Sequence, residues 1–152
     1  MSFGDYPASG YFLVLQNGYT HCATFTVPND LELEYIQVTL LNHDGLIGGS
    51  ETVTASIKNA EYKLGSSTAY VAESTAVDWA DVNTLGTYWY GFVRFTFNRE
   101  HLDADQTYYL ELNYSGTPTS GRYVGASLDW PYQVNTGDKT AVQMRVFGYR
   151  EL

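Results

Sequence analysis

Apolar residues recur at every second position over most of this chain, a period that belongs to half-buried β-strands and not to helices. Residues 33–41 set Ile36, Val38 and Leu40 on one side, with Tyr35, Gln37 and Thr39 on the other. The pattern returns in 52–58 with Val53, Ala55 and Ile57, and in 87–97 with Val93, Phe95 and Phe97. Residues 107–114 align Tyr108, Leu110 and Leu112, residues 122–128 form a further strand, and 141–150 turn Val142, Met144 and Val146 inward. Asn17-Gly18 separates the strands 11–16 and 20–27 with the composition of a type I′ hairpin turn, and Pro28 ends the second strand. A turn is expected through Asn98–Gln106. Residues 59–86 are the least regular, with a short edge strand expected in AYVAES and a helical turn in VDWADVNTL. These elements sum to an all-β antiparallel sandwich of eight or nine strands. Its 152 residues fit one domain spanning 1–152, with 1–10 as an N-terminal extension or arm.

Composition narrows the function. Seventeen acidic and eight basic residues give a net charge of −9, and Arg94, Arg99, Arg122, Arg145 and Arg150 are well separated in sequence. Binding to a phosphate backbone draws on clustered Lys and Arg, so direct nucleic-acid binding is not expected. Charged residues make up 16% of the chain, against about 25% in an average soluble protein, so hydroxyls and amides supply much of the polar surface. The single Cys22 forms no internal disulfide. MSFGDYPASG has neither the basic nor the apolar region of a signal peptide, and no apolar run approaches the roughly 20 residues of a membrane helix. Synthesis in a cytoplasm without secretion by its own signal, and without membrane insertion, is the expectation.

The reactive residue types form no catalytic pattern, and no cofactor is expected. Asp103-x-Asp105-x-Thr107 resembles the start of a calcium loop, but Tyr108 and Tyr114 stand where such a loop needs Gly and Glu. The bland reading, an acidic turn, accounts for it. Glu32 and Glu34 share an exposed strand face, and Asp78 with Asp81 flank Trp79, without flanking residues that mark a glycosidase pair. Alternation sends His21 and Cys22 to opposite faces, so they cannot ligate one ion without a bulge. Cys22 reads as a small buried hydrophobe, and His43 and His101 fall in expected loops without zinc spacing. No metal site and no enzyme activity follow from these residues.

Aromatic residues carry the stronger signal. Fourteen tyrosines, seven phenylalanines and three tryptophans exceed the needs of one sandwich core. Trp79, Tyr88, Tyr90, Trp130 and Tyr132 fall in loops or at outward strand positions, and Tyr35, Phe92, Phe147 and Tyr149 are outward on strands. Tyr and Trp offer large contact area, few rotors and a polar tip. Three readings remain open for them: a protein interface, a glycan-stacking platform and ordinary packing.

ATFTVPNDLELEYIQVTLL, GGSETVTASI, YGFVRFTF, HLDADQTYYLELNY and RYVGASLDW follow one another in an order that resembles jelly-roll-like sandwich domains of tailed-phage virion proteins. The resemblance spans about residues 20–150. It implies capsid-decoration, head- or tail-fibre or carbohydrate-binding-like roles, hence a virion location and no reaction. The expected partners are other virion proteins, host glycans and further copies of the chain in a homo-oligomer. The alternative is a carbohydrate-binding module for host-surface recognition.

Overall fold

The structure is a computed structural model that describes residues 12–15, 17–43, 51–78, 88–117, 123–127, 142 and 144–150. Ten strands occur among them: β1 (Phe12–Val14), β2 (Gly18–Phe25), β3 (Leu31–His43), β4 (Thr52–Lys58) and β5 (Tyr70–Glu73), then β6 (Val77–Asp78), β7 (Tyr88–Leu102), β8 (Tyr108–Tyr114), β9 (Tyr123–Ser127) and β10 (Met144–Tyr149). All pairings between them are antiparallel. The first sheet runs β1–β9–β3–β7, with β10 sharing one edge of β3 with β9. The second runs β2–β8–β4–β5, with β6 sharing one edge of β4 with β5. Each sharing pair fills a single strand position, so ten segments occupy eight positions. The chain shuttles between the sheets in the double Greek-key order of a jelly roll. The antiparallel sandwich expected from the sequence is the fold.

Alternation fills the space between the sheets. Ile36, Val38 and Leu40 meet Val93, Phe95 and Phe97 from β7, Val53, Ala55 and Ile57 from β4, and Tyr108, Leu110 and Leu112 from β8. Full burial of each large aliphatic or aromatic side chain contributes about 1.5–3 kcal/mol relative to exposure. Two bulges extend this core beyond strict period two. Both ladders of β3 skip Glu34, so Leu33 and Ile36, three residues apart, are both fully buried. In β2 the register shifts between His21 and Ala23, and Cys22 and Ala23 are both core residues.

Asn17-Gly18 does not make the expected hairpin. Leu15 N–H still donates to Val124 O in the first sheet (2.8 Å), while Gly18 already pairs with Tyr114 in the second. Gly18 has φ of 94°, but β1 pairs with β9 and β2 with β8, so the two strands that flank the dipeptide do not pair with each other. The dipeptide instead carries the chain from one layer to the other. The turn expected from Asn98 also differs: β7 runs on to Leu102, passing through a positive φ of 51° at Arg99. Leu33 and Tyr35, two apart, oppose Glu100 and Thr96, four apart, so this irregularity absorbs the extra β7 residues. Val77–Asp78 form β6, and the rest of the expected helical turn lies outside the described residues.

One end of the sandwich is closed by two interlocked turns. Asp105, with φ of 60°, donates its N–H to Val27 O (2.9 Å), and Ala104 N–H donates to Asp30 Oδ1 (2.8 Å). Residues 59–69 form a strap over the outer face of the second sheet, where Tyr62 stacks on Tyr109 with ring centroids 4.8 Å apart. Alternation alone would leave Ser56 and Lys58 on a solvated face, yet both are buried.

The β3 bulge brings backbone against β10. A Cβ on Gly148 would lie 2.2 Å from Glu32 O and 2.8 Å from Leu31 Cγ. Gly148→Ala is therefore expected to cost about 1–3 kcal/mol, the usual range for overpacking, read as a lower urea midpoint at unchanged slope.

Candidate interaction face

The outer face of the first sheet gathers side chains from three strands. Across the row at Tyr35 lie Thr96 of β7 and Phe147 of β10, and across the row at Gln37 lie Arg94 and Arg145. Phe92 lies opposite Thr39. Tyr35 and Phe147 stack with centroids 4.5 Å apart and planes 21° from parallel. Arginines cover the rings: Arg94 Cζ is 4.0 Å from the Tyr35 centroid, Arg99 Cζ 4.5 Å from Tyr149, and Arg145 Cζ 5.5 Å from Phe92. Tyr149 Oη donates to Glu34 Oε1 at 3.4 Å. Phe92 is 56% exposed and Tyr149 48%.

This arrangement suits docking. A guanidinium carries five N–H donors, so one placed over a ring still has donors to offer a carboxylate. Each cation–π contact at an exposed site is worth about 0.5–1 kcal/mol, which biases the side chain towards this position before a partner arrives. Arg99 stands in the left-handed backbone region, at a cost of about 1–2 kcal/mol for a residue with a Cβ.

Alternation places Tyr35, Phe92, Phe147 and Tyr149 outward, and the structure assembles all four on one face. Their arginine partners are not legible, because Arg94, Arg99 and Arg145 are each far in sequence from the ring they meet, and strand register brings them together. Of the other aromatic candidates, Trp79, Trp130 and Tyr132 lie outside the described residues. Tyr88 and Tyr90 pair through their backbones with His43 and Leu41, and their side chains are likewise outside the description. Towards that end of β3 the outer face is closed, since Leu41 and Tyr123 are buried in a small cluster of their own.

His101 is on β7, not in a loop, and forms a second polar cluster. Its Nδ1 lies 2.7 Å from Glu32 Oε1 and its Nε2 3.2 Å from Asp103 Oδ1. Ligand atoms of Asp30, His101 and Asp103 fall within 4.8 Å of one another, a spacing a cation could bridge. With a carboxylate at each ring nitrogen, however, the imidazole is best satisfied as a double donor, and an imidazolium has no lone pair for a metal. The cluster works as an ion-pair clamp between β3 and the turn after β7. A cavity of about 350 Å³ opens beside it, lined by Asn59, Glu61, Val71, Gln106 and Tyr108 among others.

The remaining sequence candidates separate. Glu32 serves the clamp and Glu34 the Tyr149 hydroxyl. Asp78 pairs with Thr52 in the second sheet, and Asp81 is outside the described residues. The bulge that could have joined His21 and Cys22 is present, but Cys22 is fully buried in the core and His21 packs beside Tyr62 and Tyr109 on the outer face. Burial pushes the Cys22 thiol up to about 12, which keeps it protonated and unreactive.

His101 and His21 titrate in opposite senses. The hydrogen bond to Glu32 raises His101 above the ordinary value of 6.5, so its contribution is complete below pH 6.5 and fades as pH rises through the raised value. Burial lowers His21, so its contribution is complete above pH 6.5 and fades as pH falls through the lowered value. Thermal unfolding across pH 5–9 is expected to lose its alkaline slope in His101→Gln and part of its acid slope in His21→Gln. Unchanged slopes would refute these environments.

Comparisons with known protein families, with curated proteins and with solved structures returned no match.

Proposed function

We propose that this protein is a non-enzymatic structural subunit of a tailed-phage particle, a capsid-decoration, collar or short-fibre component. In this reading it docks through the outer face of the first sheet onto a carboxylate-bearing surface of another virion protein. The observation that carries the reading is the arginine-capped aromatic face. Arg, Tyr and Phe are types enriched in interface cores, and here they lie on a flat sheet instead of in a cleft. Three of the chain's five arginines stand on this face of a molecule whose net charge is −9, so an acidic surface is the complementary partner. The sequence resemblance supplies the virion context, and a fold of this kind hosts many unrelated functions.

The rival role, a glycan platform, needs ring faces open to a sugar. On this face a guanidinium lies over each of Tyr35, Tyr149 and Phe92, so a sugar would compete with it for that side of the ring.

The full chain is expected to co-sediment with assembled particles in low salt. Arg94→Glu combined with Arg145→Glu should weaken that binding about tenfold or more, equivalent to about 1.4 kcal/mol. A chain that ignores particles, or binds them equally after the double charge reversal, overturns the docking face. Glycan-array binding abolished by Trp130→Ala would establish the carbohydrate-binding role in its place.

A further inference from the structure

On the opposite sheet, Glu111 is fully buried in mid-β8, beside His21 of β2 and Ser56 of β4. The strap 59–69 lies over it. Gly65 N–H donates to Glu111 Oε2 (3.1 Å), and Lys58 Nζ, itself buried, donates to Ser66 O (2.5 Å). Glu111 Oε1 has no hydrogen-bond partner, and Lys58 Nζ stands 3.9 Å away, too far for a direct bond. Two further buried polar atoms stand around this carboxylate: His21 Nε2, which has no hydrogen-bond partner, and Tyr62 Oη, which lies within reach of the Glu111 carboxylate without meeting the geometry of a direct bond. The rings that carry them have centroids 5.2 Å apart. Glu111's charge acts on both residues.

Counting donors and acceptors identifies what belongs between them. Lys58 retains donors beyond the one given to Ser66, and the Tyr62 hydroxyl offers another. Glu111 Oε1 and the lone pair of a neutral His21 accept. His21 is held neutral by burial, with a further hydrogen bond to the Ala23 backbone. The negative carboxylate disfavours an anion and the ammonium disfavours a metal ion. A neutral molecule of water size, with two donors and two acceptors, meets all four groups, and buried waters typically make about three such bonds. Tyr109 stacks on Tyr62, Cys22 below is a neutral thiol, and Glu73 is taken up by Ser56 Oγ (3.3 Å), so no other charge on the packed elements competes.

We propose that Glu111 Oε1, Lys58 Nζ, Tyr62 Oη and His21 Nε2 enclose an internal hydration site, in which one water accepts from Lys58 and Tyr62 and donates to Glu111 and His21. The site joins β2, β4, β8 and the strap through a single molecule, and it is independent of the docking face.

A high-resolution crystal structure of the full chain is expected to show one solvent peak within hydrogen-bond distance of all four atoms. Density in which Tyr62 Oη bonds Glu111 Oε1 directly, with nothing between, overturns the proposal. In solution, oxygen-17 water relaxation dispersion counts long-lived internal waters. The variant Lys58→Met with Glu111→Leu is expected to hold one fewer than the natural chain, and equal counts overturn the proposal. The natural chain's density decides the matter even where the variant does not fold.

Discussion

Strand β3 hydrogen-bonds along both of its edges, to β7 on one side and to β10 and then β9 on the other. A one-residue slip in either ladder would turn Ile36, Val38 and Leu40 outward and present Gln37 and Thr39 to the core. The same register fixes the outer face, because Tyr35 meets Phe147 and Gln37 meets both Arg94 and Arg145 only in this pairing. Core and candidate interface are thus two readings of one alignment. The bulge at Glu34 adjusts the phase so that Leu33 joins the core as well.

Period two carried the fold a long way. It located the inward residues of β3, β4, β7 and β8 and the outward aromatics, since both depend on local alternation alone. It was blind wherever tertiary context set the outcome. Asn17-Gly18 has the local chemistry of a hairpin, but β1 finds a better partner in β9, and the glycine's freedom is spent on a change of layer. Lys58 and Ser56 sit at outward positions and would be solvated if the strap 59–69 did not return over them. The arginine–aromatic pairs and the Glu32–His101 contact of the clamp join residues tens of positions apart, and no spacing rule reaches that far.

The sandwich keeps its two outer faces chemically distinct. On the first sheet, guanidiniums rest on aromatic rings in contact with solvent, where screening makes each contact modest but adaptable. On the second, a carboxylate and an ammonium are withdrawn from water beneath the strap, where desolvation makes any unpaired group costly. Charge on the first face is available to a partner, whereas charge on the second is committed to the chain itself.

β9 and β10 lie end to end along one side of β3. Ala126 opposes Leu40 and Met144 opposes Val38, so the ladder along β3 resumes in step after the intervening residues. The two ends of that segment are pinned side by side whatever lies between them. Closure entropy grows only with the logarithm of loop length, each doubling costing about 0.6 kcal/mol. The seam between β9 and β10 therefore behaves as a joint at which the connecting length can change at small cost while the strand on either side keeps its register.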